Sequence, residues 1–284
     1  MKKHKLAIAY RVYPLISKIP AVYQEDKFKL VKLGFDSLID SLNFKNNIEY
    51  KIWIILDACP NEYAEYFNNK LEKLDYELIF TDKIGNQKTF DLQLKILLEQ
   101  DFSDYVYFAE DDYFYLKDNF NVALEFIENN NIDFLTTYNH PNNNSLEIAN
   151  INRQESDVIL YKNYKWQTQA STTMTFFAKK STLSETKDIF LTYTKKNFDN
   201  AMWFSLTNYK LTNIFKCLYY LIKDKSIAYI FLKAYLFVPY QLFFGKKYKL
   251  WVITQSLSTH LDKPTIANEV DWQSEFDFYT KHQK

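Results

Sequence analysis

Short apolar strands alternate with amphipathic helices over the N-terminal part of the chain, and this alternation constrains the fold most. The strands are predicted at Leu6–Val12, Tyr50–Leu56, Glu77–Phe80 and Tyr105–Tyr115, and the helices at Asp26–Leu42, Pro60–Leu74 and Gln87–Gln100. Three strand–helix units before a fourth strand predict a parallel sheet with right-handed crossovers. In such a sheet, ligands bind at the carboxyl ends of the strands.

The fourth strand ends in three consecutive acids. Its apolar run, Tyr-Val-Tyr-Phe-Ala, leads directly into Glu110, Asp111 and Asp112. Desolvation and mutual repulsion disfavour such a cluster, so the sequence predicts a cation that neutralises it. Oxygen ligands select Mg²⁺ or Mn²⁺, and these ions commonly bind a nucleotide diphosphate as well. The alternative is a strand that simply ends at a solvated acidic loop.

Polar residues also follow the second and third predicted strands. Asp57 ends the second strand, and the loop Asp82–Asn86 follows the third. Because these positions share one edge of a parallel sheet, we expect a single cleft to collect them with the three acids. A second interpretation of Asp57 is that it caps the turn into the helix at Pro60.

The rest of the chain continues the mixed pattern. It predicts a helix at Lys117–Asn129, a strand at Asp133–Thr137, strands within Tyr164–Lys179 and a late strand at Leu250–His260. The long polar segment Tyr138–Glu155 is predicted to be a mobile flap or an acceptor-binding loop.

Two further helices are predicted after the middle strands. One begins at Ser181 as its N-cap, and the other begins near Phe198 with Asp199 or Asn200 as its cap. Trp166 lies on one of the predicted middle strands, where a Trp suits the apolar core.

Leu211–Lys249 differs in character because its aromatic and aliphatic residues are interleaved with lysines. Broad apolar faces edged with lysine are typical of helices that lie at a membrane surface. A helical pair that packs on the core or on a second subunit would give the same pattern, and both interpretations stay open.

Composition excludes several classes of function. The chain has 284 residues, enough for one large α/β domain with or without an appendage, and its 35 basic and 35 acidic residues give no field that favours nucleic acid. Two distant cysteines suit a reducing cytoplasm. The short apolar run after the basic start does not predict a signal peptide, and no stretch is long and uncharged enough to predict a transmembrane helix.

Together these residues resemble the GT-A fold of nucleotide-sugar glycosyltransferases, most closely the family-2-like bacterial enzymes. The resemblance spans residues 5–205 and 250–262. Its features are the Tyr10–Pro14 turn after the first strand, Asp57, the Glu110–Asp112 cluster as a variant of the Asp-X-Asp motif, and the segment Trp251–Leu261 with its His260. It implies an α/β, Rossmann-like GT-A fold, a mainly parallel sheet flanked by helices, with a C-terminal helical extension rich in aromatic residues and lysine.

The resemblance also implies roles for single residues. Asp112 and His260 would hold Mn²⁺ or Mg²⁺ against the leaving diphosphate. Asp199 would be the general base of an inverting transfer, with Asp188 and Glu185 as alternatives. The residues expected to contact the nucleotide-sugar donor are Arg11, Asp57, Asp82, Asn86, Glu110 and Asp111. Trp166, Gln167 and Gln169 would line the acceptor site, where an aromatic ring stacks on a sugar face; the alternative for Trp166 is a place in the core.

The predicted function is a metal-dependent, inverting transfer of a sugar from a nucleotide donor, with UDP expected, to a bacterial surface glycan or lipid-linked glycan. The predicted units are residues 1–205 for donor and acceptor, 206–249 as an amphipathic helical segment, and 250–284 completing the catalytic part. The protein is expected in the cytoplasm, with contact to the inner face of the cell membrane. The alternatives are a non-catalytic membrane-surface scaffold and a sugar nucleotidyltransferase; the second is disfavoured because Arg11–Lys18 contains no glycine to cradle a triphosphate.

Overall fold

The computed structural model describes residues 3–16, 18–141, 156–208 and 213–282. Most of the predicted flap, Tyr138–Glu155, therefore lies outside the described residues. The strands are β1 (His4–Val12), β2 (Ile48–Asp57), β3 (Asp75–Thr81), β4 (Tyr105–Glu110), β5 (Tyr113–Tyr115), β6 (Phe134–Thr136), β7 (Val158–Tyr161), β8 (Tyr164–Gln169), β9 (Phe176–Lys179), β10 (Leu250–Ile253) and β11 (Ser258–His260).

Helices account for most of the remaining described chain. They are α1 (Lys27–Asn43), α2 (Asn61–Leu71), α3 (Asn86–Glu99), α4 (Asn119–Asn129), α5 (Lys180–Phe190), α6 (Asp199–Thr207), α7 (Ile214–Lys223), α8 (Lys225–Phe237), α9 (Pro239–Phe244) and α10 (Trp272–His282). Short 3₁₀ turns occur at Tyr193–Lys195 and Lys263–Thr265. The predicted alternation of strands and helices up to β4 is confirmed.

Within the described residues, nine strands form one sheet in the order β3-β2-β1-β4-β9-β6-β10-β8-β7. The pairs β3/β2, β2/β1, β1/β4 and β6/β10 are parallel, whereas β8 and β9 are antiparallel to their neighbours. Seven strands therefore run in one direction and two run against them. The predicted α/β class with a mainly parallel sheet flanked by helices is confirmed.

Alternate residues of β1 show how both faces of the sheet are covered. Leu6, Ile8 and Tyr10 belong to the apolar core that contains α1, α2, α4 and α10, whereas Ala7 and Ala9 belong to the core that contains α3, α5 and α6. Because successive strand side chains point to opposite faces, a strand buried on both sides is apolar at successive positions, as β1 is from Leu6 to Tyr10.

Two strands predicted as single elements are divided, and both divisions shape the site. The predicted strand Tyr105–Tyr115 ends at Glu110 and resumes at Tyr113, so the last two acids form the turn between β4 and β5. The prediction of one late strand at Leu250–His260 is wrong, because β10 joins the large sheet while β11 pairs with β5 in a separate two-stranded sheet. That second pairing sets His260 opposite Tyr113, beside the acidic turn.

The C-terminal helix α10 closes the second sheet. Trp272, Phe276 and Tyr279 pack their rings around Phe114 of β5, with centroids 5.1–6.3 Å apart. The sequence analysis did not predict this helix. Phe278, on the same helix, is 48% exposed.

Two helix starts differ from the predicted caps. α5 begins at Lys180, directly after β9, so Ser181 lies inside the helix rather than at its cap. α6 begins at Asp199 with Phe198 as its N-cap residue, and Phe198 supplies no side-chain cap bond. Neither Asp199 nor Asn200 is therefore the N-cap residue.

The lysine-rich segment forms three helices; α8 and α9 pack against α6, and α7 packs against α8. One apolar cluster joins Ala201 and Phe204 of α6 to Tyr220 of α7, Ile227, Phe231 and Ala234 of α8, and Leu242 of α9. The interpretation that this segment packs on the core is confirmed for this inner face. Its outer face carries a second set of apolar side chains, which are exposed.

Gly34 lets α1 approach the backbone of the acidic turn. A Cβ atom at this position would lie 2.6 Å from the carbonyl oxygen of Tyr113 and 3.7 Å from that of Asp111. Contacts under 3.0 Å to backbone force a shift, so the helix can sit this close only because residue 34 has no side chain.

We expect Gly34→Ala to destabilise the protein although Ala favours helices. Overpacking typically lowers the free energy of unfolding by about 1–3 kcal/mol, and the better helix propensity of Ala returns about 1 kcal/mol of that. Urea unfolding at neutral pH measures the difference. Lys29→Ala, on the exposed face of the same helix, is the control; equal stability of Gly34→Ala and this control would contradict the close approach.

Candidate active site

The site lies at the carboxyl ends of β1 and β4, where strand register brings opposite charges together. Arg11 of β1 lies directly beside Glu110 of β4 in the parallel pair. The side chains of paired residues point to the same face of the sheet. A basic and an acidic residue therefore meet at the edge where the sequence predicted a ligand cleft.

Arg11 and Glu110 form the first ion pair of the site. Arg11 is buried, and its Nη2 donates to Glu110 Oε1 while its Nη1 donates to the backbone oxygen of Asn86 (2.9 Å) and to the Asn86 side chain. Glu110 Oε2 accepts a bond from Thr175 Oγ1 (2.8 Å). Burial alone would lower the pKa of Arg11, but the Glu110 carboxylate raises it above its ordinary value.

Asp111 is held by a lysine that the sequence analysis did not single out. Its Oδ1 accepts from Lys27 Nζ (2.8 Å) and its Oδ2 from the backbone N–H of Tyr13 (2.8 Å). Burial raises the pKa of Asp111, the neighbouring charge of Asp112 adds to this, and Lys27 opposes it. Both carboxylate oxygens are thus bonded inside the protein.

Asp112 has a different environment. Its Oδ2 lies 3.1 Å from His260 Nε2 and 3.8 Å from Lys18 Nζ. Burial alone would raise the pKa of Asp112, but His260, Lys18 and Lys27 hold it well below its ordinary value. Its Oδ1 is buried and accepts no hydrogen bond from the part of the chain that the structure describes.

Each acid therefore has a cationic partner from the protein. Arg11 pairs with Glu110, Lys27 with Asp111, and Lys18 with Asp112. The sequence predicted that an external cation relieves the repulsion among the acids, but the protein's own side chains already supply this neutralisation. Repulsion among the acids is therefore no argument for a metal site; the argument that remains is the environment of Asp112.

Asp112 and His260 fit a metal site that a substrate completes. Among the described residues, no group of three His, Cys, Asp or Glu side chains converges as a metal site. Mg²⁺, however, commonly uses one or two protein ligands together with substrate phosphates and water. The buried Asp112 Oδ1 is a free acceptor for such an ion. The two side chains line a small, open pocket whose other walls include Ile16, Lys18, Pro20, Lys27, Leu30 and Asp262.

Asp57 organises the loop before α3. Its Oδ1 accepts from Thr81 Oγ1 (2.9 Å) and the N–H of Ile84 (2.8 Å), and its Oδ2 accepts from the N–H of Gly85 (2.9 Å). The interpretation that Asp57 caps the helix at Pro60 is wrong, because α2 has no side-chain cap bond. Contact between the buried Asp57 and a nucleotide stays a prediction.

The remaining donor candidates lie at the start of α3. Asn86 is the first residue of α3 and receives the bonds from Arg11 described above. Asp82, in the same loop, is exposed. The structure thus brings Asn86 into the Arg11–Glu110 cluster and leaves Asp82 at its outer edge.

Asp199 lies close enough to Glu110 and Lys18 for their charges to interact. Burial raises the pKa of Asp199, the Asn200 N–H bonded to its Oδ1 (2.7 Å) opposes this, and the negative charge of Glu110 adds to it. A carboxylate with a raised pKa is a stronger base. The alternatives are less well placed, since Glu185 contacts Lys246 and Tyr248 and Asp188 is exposed.

Several site residues escaped the sequence analysis. Lys27 could have been found, because a lysine in the first turn opposes the helix dipole and calls for a compensating anion. Lys18 lies in an irregular segment and Tyr193 begins a short 3₁₀ turn, and neither carries such a signal. The Tyr193 hydroxyl accepts a bond from Asn86 Nδ2 (3.1 Å). His140 lies near Lys18 and His260, and burial together with their charges lowers its pKa to about 4.

Trp166 is a core residue rather than an acceptor contact. It is fully buried, and its ring stacks on Phe126 with centroids 4.1 Å apart and planes 5° from parallel. Gln169, at the end of β8, is also buried, whereas Gln167 is partly exposed. The core interpretation of Trp166 is therefore correct.

Comparison with known proteins gives matches only among solved structures. No protein-family model and no curated protein matches the chain. The chain is similar to S. aureus TarS 1-349 in complex with UDP (15% identity over 71% of this chain and 54% of that one, TM-score 0.45). It is also similar to TarS 1-349 in complex with UDP-GlcNAc (14% identity, 65% and 48%, TM-score 0.43) and to TarS (16% identity, 65% and 30%, TM-score 0.41). The chain thus spans about half or less of the length of these structures.

We expect Lys27→Met to destabilise the protein strongly. Lys27 is 10% exposed, and its loss leaves the Asp111 carboxylate buried without a counter-ion. Removing one partner of a buried pair costs about 3–5 kcal/mol. Urea unfolding of wild type and variant at pH 7 measures the loss. Lys29→Met removes a 60% exposed lysine from the same helical turn and should cost less than about 1 kcal/mol.

The pH dependence separates charge from packing in this test. Because the folded pKa of Asp111 is raised above its unfolded value, stability is lost as the pH rises from the unfolded pKa through the folded one, and loss of Lys27 raises the folded pKa further. The difference between Lys27→Met and wild type should therefore be largest at neutral pH and shrink as the pH falls to about 4, where unfolded Asp protonates. A difference independent of pH would assign Lys27 a packing role only.

Proposed function

We propose that this chain is a GT-A-type glycosyltransferase that moves a sugar from a UDP-sugar donor to a glycan acceptor. The transfer would invert the configuration at the anomeric carbon of the sugar. The observation that carries the proposal is the Asp112–His260 pair, which opens onto a pocket at the carboxyl edge of a mainly parallel sheet. Ligands of such sheets bind at this edge. Lys18 and Lys27 line the same pocket and favour an anionic ligand.

The leaving diphosphate requires positive charge, because negative charge builds up on it as the sugar departs. Asp112 and His260 would hold Mn²⁺ or Mg²⁺, which when bound neutralises this charge. Lys18 and Lys27 add fixed positive charge within the pocket. Arg11 is fully engaged with Glu110 and Asn86, so its role is to hold these residues in place.

The donor nucleoside would bind over the ends of β2 and β4. Glu110 is 21% exposed and is better placed for a ribose hydroxyl than Asp111, which is 11% exposed with both oxygens bonded. Asn86 and Asp82 would flank the base. Asp57 would act by fixing the loop that carries Gly85 and these two residues.

Asp199 would take the proton from the acceptor hydroxyl. An inverting transfer needs a base on the side of the sugar opposite the leaving group, and Asp199 approaches Glu110 from α6, an element separate from the Asp112–His260 pair. Its raised pKa strengthens it as a base. A general base of this kind contributes about 10²–10⁴-fold to the rate.

The outer face of α7–α9 would place the enzyme against an anionic membrane surface, beside a lipid-linked acceptor on the cytoplasmic side. Exposed lysines border this face at Lys223, Lys225, Lys246 and Lys247. Its exposed apolar residues are Phe215, Leu218, Leu221, Ile222, Leu232, Leu236, Tyr240, Phe243 and Phe244. Apolar area rimmed by lysine binds anionic bilayers by insertion and charge together. Within the described residues, the helices are too short or too polar to span a bilayer.

A non-catalytic scaffold is the second candidate, and one observation favours it. The three acids already have protein counter-ions, as expected of a site that has turned into a structural ion-pair network. Nucleotide binding separates the two candidates, because a scaffold of this kind has no requirement for UDP.

We expect calorimetric titration to show that UDP binds the wild type only weakly without Mn²⁺ and more tightly with it. Asp112→Asn should weaken binding in Mn²⁺ by at least about tenfold, since even indirect changes at metal sites cost 10–100-fold. Asp199→Asn is the matched control: it should keep UDP binding and lose about 10²–10⁴-fold in transfer rate. Absence of binding by UDP, GDP, CMP and dTDP alike would favour the scaffold.

We expect the protein to sediment with phosphatidylglycerol vesicles at low salt and not with phosphatidylcholine vesicles. The double variant Lys246→Glu/Lys247→Glu should lose binding at least about 30-fold, at about 1 kcal/mol per lysine. Phe243→Ser/Phe244→Ser should lose it as well. Lys45→Glu/Lys73→Glu changes two exposed lysines elsewhere and is the control; equal losses in both lysine pairs would mean that no particular face docks.

A further inference from the structure

Lys18 occupies the place where a divalent cation would bind. Its Nζ lies 2.7 Å from His260 Nε2 and 3.8 Å from Asp112 Oδ2. His260 is 4% exposed, and Asp112 Oδ1 is buried without a hydrogen-bond partner in the described chain. The Lys18 ammonium group therefore lies next to the two atoms, His260 Nε2 and Asp112 Oδ2, that would bind the cation.

Lys18, His260 and Asp112 cannot all have favourable hydrogen bonds in this arrangement. An imidazole Nε2 either carries a proton and donates, or carries a lone pair and accepts. If it accepts from Lys18, it presents a lone pair to Asp112 Oδ2 at 3.1 Å; if it donates to Asp112, its proton faces the Lys18 ammonium. A cation bound directly between Asp112 Oδ2 and His260 Nε2 would resolve this conflict, provided that Lys18 moves away.

Lys18 is able to move without disturbing the backbone. The chain beside it is tied to the end of β11, because Ile19 N–H donates to Asp262 Oδ1 (2.9 Å) and Lys263 N–H donates to Ile19 O (2.9 Å). The Lys18 side chain is nevertheless 49% exposed, whereas Lys27 across the pocket is 10% exposed and bonded to Asp111. Rotation of one flexible side chain is thus sufficient.

We propose that Lys18 is a resident counter-ion of the Asp112–His260 pair, that it yields this pair to a divalent cation, and that its freed ammonium then binds the diphosphate of the donor. The inference rests on the proposed function for its second half only. Lys18 would oppose metal binding in the free enzyme and favour nucleotide binding in the loaded one. Metal and nucleotide binding are thereby coupled through one side chain.

The test measures Mn²⁺ and UDP binding separately. Binding of Mn²⁺ alone is followed by the electron paramagnetic resonance signal of the free ion, and binding of UDP at saturating Mn²⁺ is followed by calorimetry. Lys18→Met should bind Mn²⁺ at least about fivefold more tightly and UDP at least about fivefold more weakly. The reason is that the positive charge of Lys18 opposes binding of the cation in the free protein and favours binding of the diphosphate in the metal-bound protein. Lys18→Gln serves as a second variant, with circular dichroism to confirm folding.

Lys263→Met is the control for a general loss of positive charge, since Lys263 is exposed nearby but does not contact the pair. Unchanged or weaker Mn²⁺ binding by both Lys18 variants, an equal gain in Lys263→Met, or no Mn²⁺ binding by any protein at millimolar concentrations would overturn the inference. If Mn²⁺ binding tightens but UDP binds neither wild type nor variants, the resident counter-ion stands and the proposed function fails. If UDP binds wild type with Mn²⁺ while Lys18→Met matches it in both assays, the proposed function stands and the inference fails.

Discussion

The structure depends on neutralising three adjacent carboxylates at the end of a buried strand. Each acid obtains its cation from a different element: Arg11 from β1, Lys27 from α1, and Lys18 from the irregular segment between them. Removing one partner of a buried pair would leave the other charge buried and uncompensated. This destabilises the fold far more than replacing both partners with apolar residues would. The acids therefore hold β1, β4 and α1 together. The same ion pairs determine where the site lies and stabilise this half of the sheet.

Backbone geometry explains how these partners reach the acids. The β1/β4 register sets Arg11 beside Glu110, and the absence of a side chain at Gly34 allows α1 to press against the turn that holds Asp111. The small β5/β11 sheet then delivers His260 to the third acid. Three independent contacts thus converge on one turn, and a shift of α1 or β11 would disturb it without touching a charged residue.

The sequence predicted those features that local patterns encode. Apolar runs with helices between them predicted the strands up to β4, and the abrupt change from apolar to acidic residues predicted the edge at which the site lies. The lysine partners of the acids were missed for different reasons. Lys27 carries a local signal, its place in the first turn of α1, but only the packing of α1 shows that Asp111 is its partner. Lys18 carries no local signal, and only the packing near β11 brings it to His260. The late strand was misjudged for a related reason: Leu250–His260 contains no Gly or Pro to mark a break, but its second half leaves the large sheet to pair with β5.

The three acids resemble one another in sequence, yet their unused acceptor atoms distinguish them. Asp111 bonds Lys27 and the Tyr13 N–H through its two oxygens, and Glu110 bonds Arg11 and Thr175. Asp112 alone among the three keeps a buried oxygen with no partner in the described chain. Since an unbonded buried oxygen is unfavourable, it is retained more readily where a ligand satisfies it. The first two acids therefore have all their carboxylate oxygens bonded within the protein, and the third keeps the acceptor atom that the proposed metal ion would use.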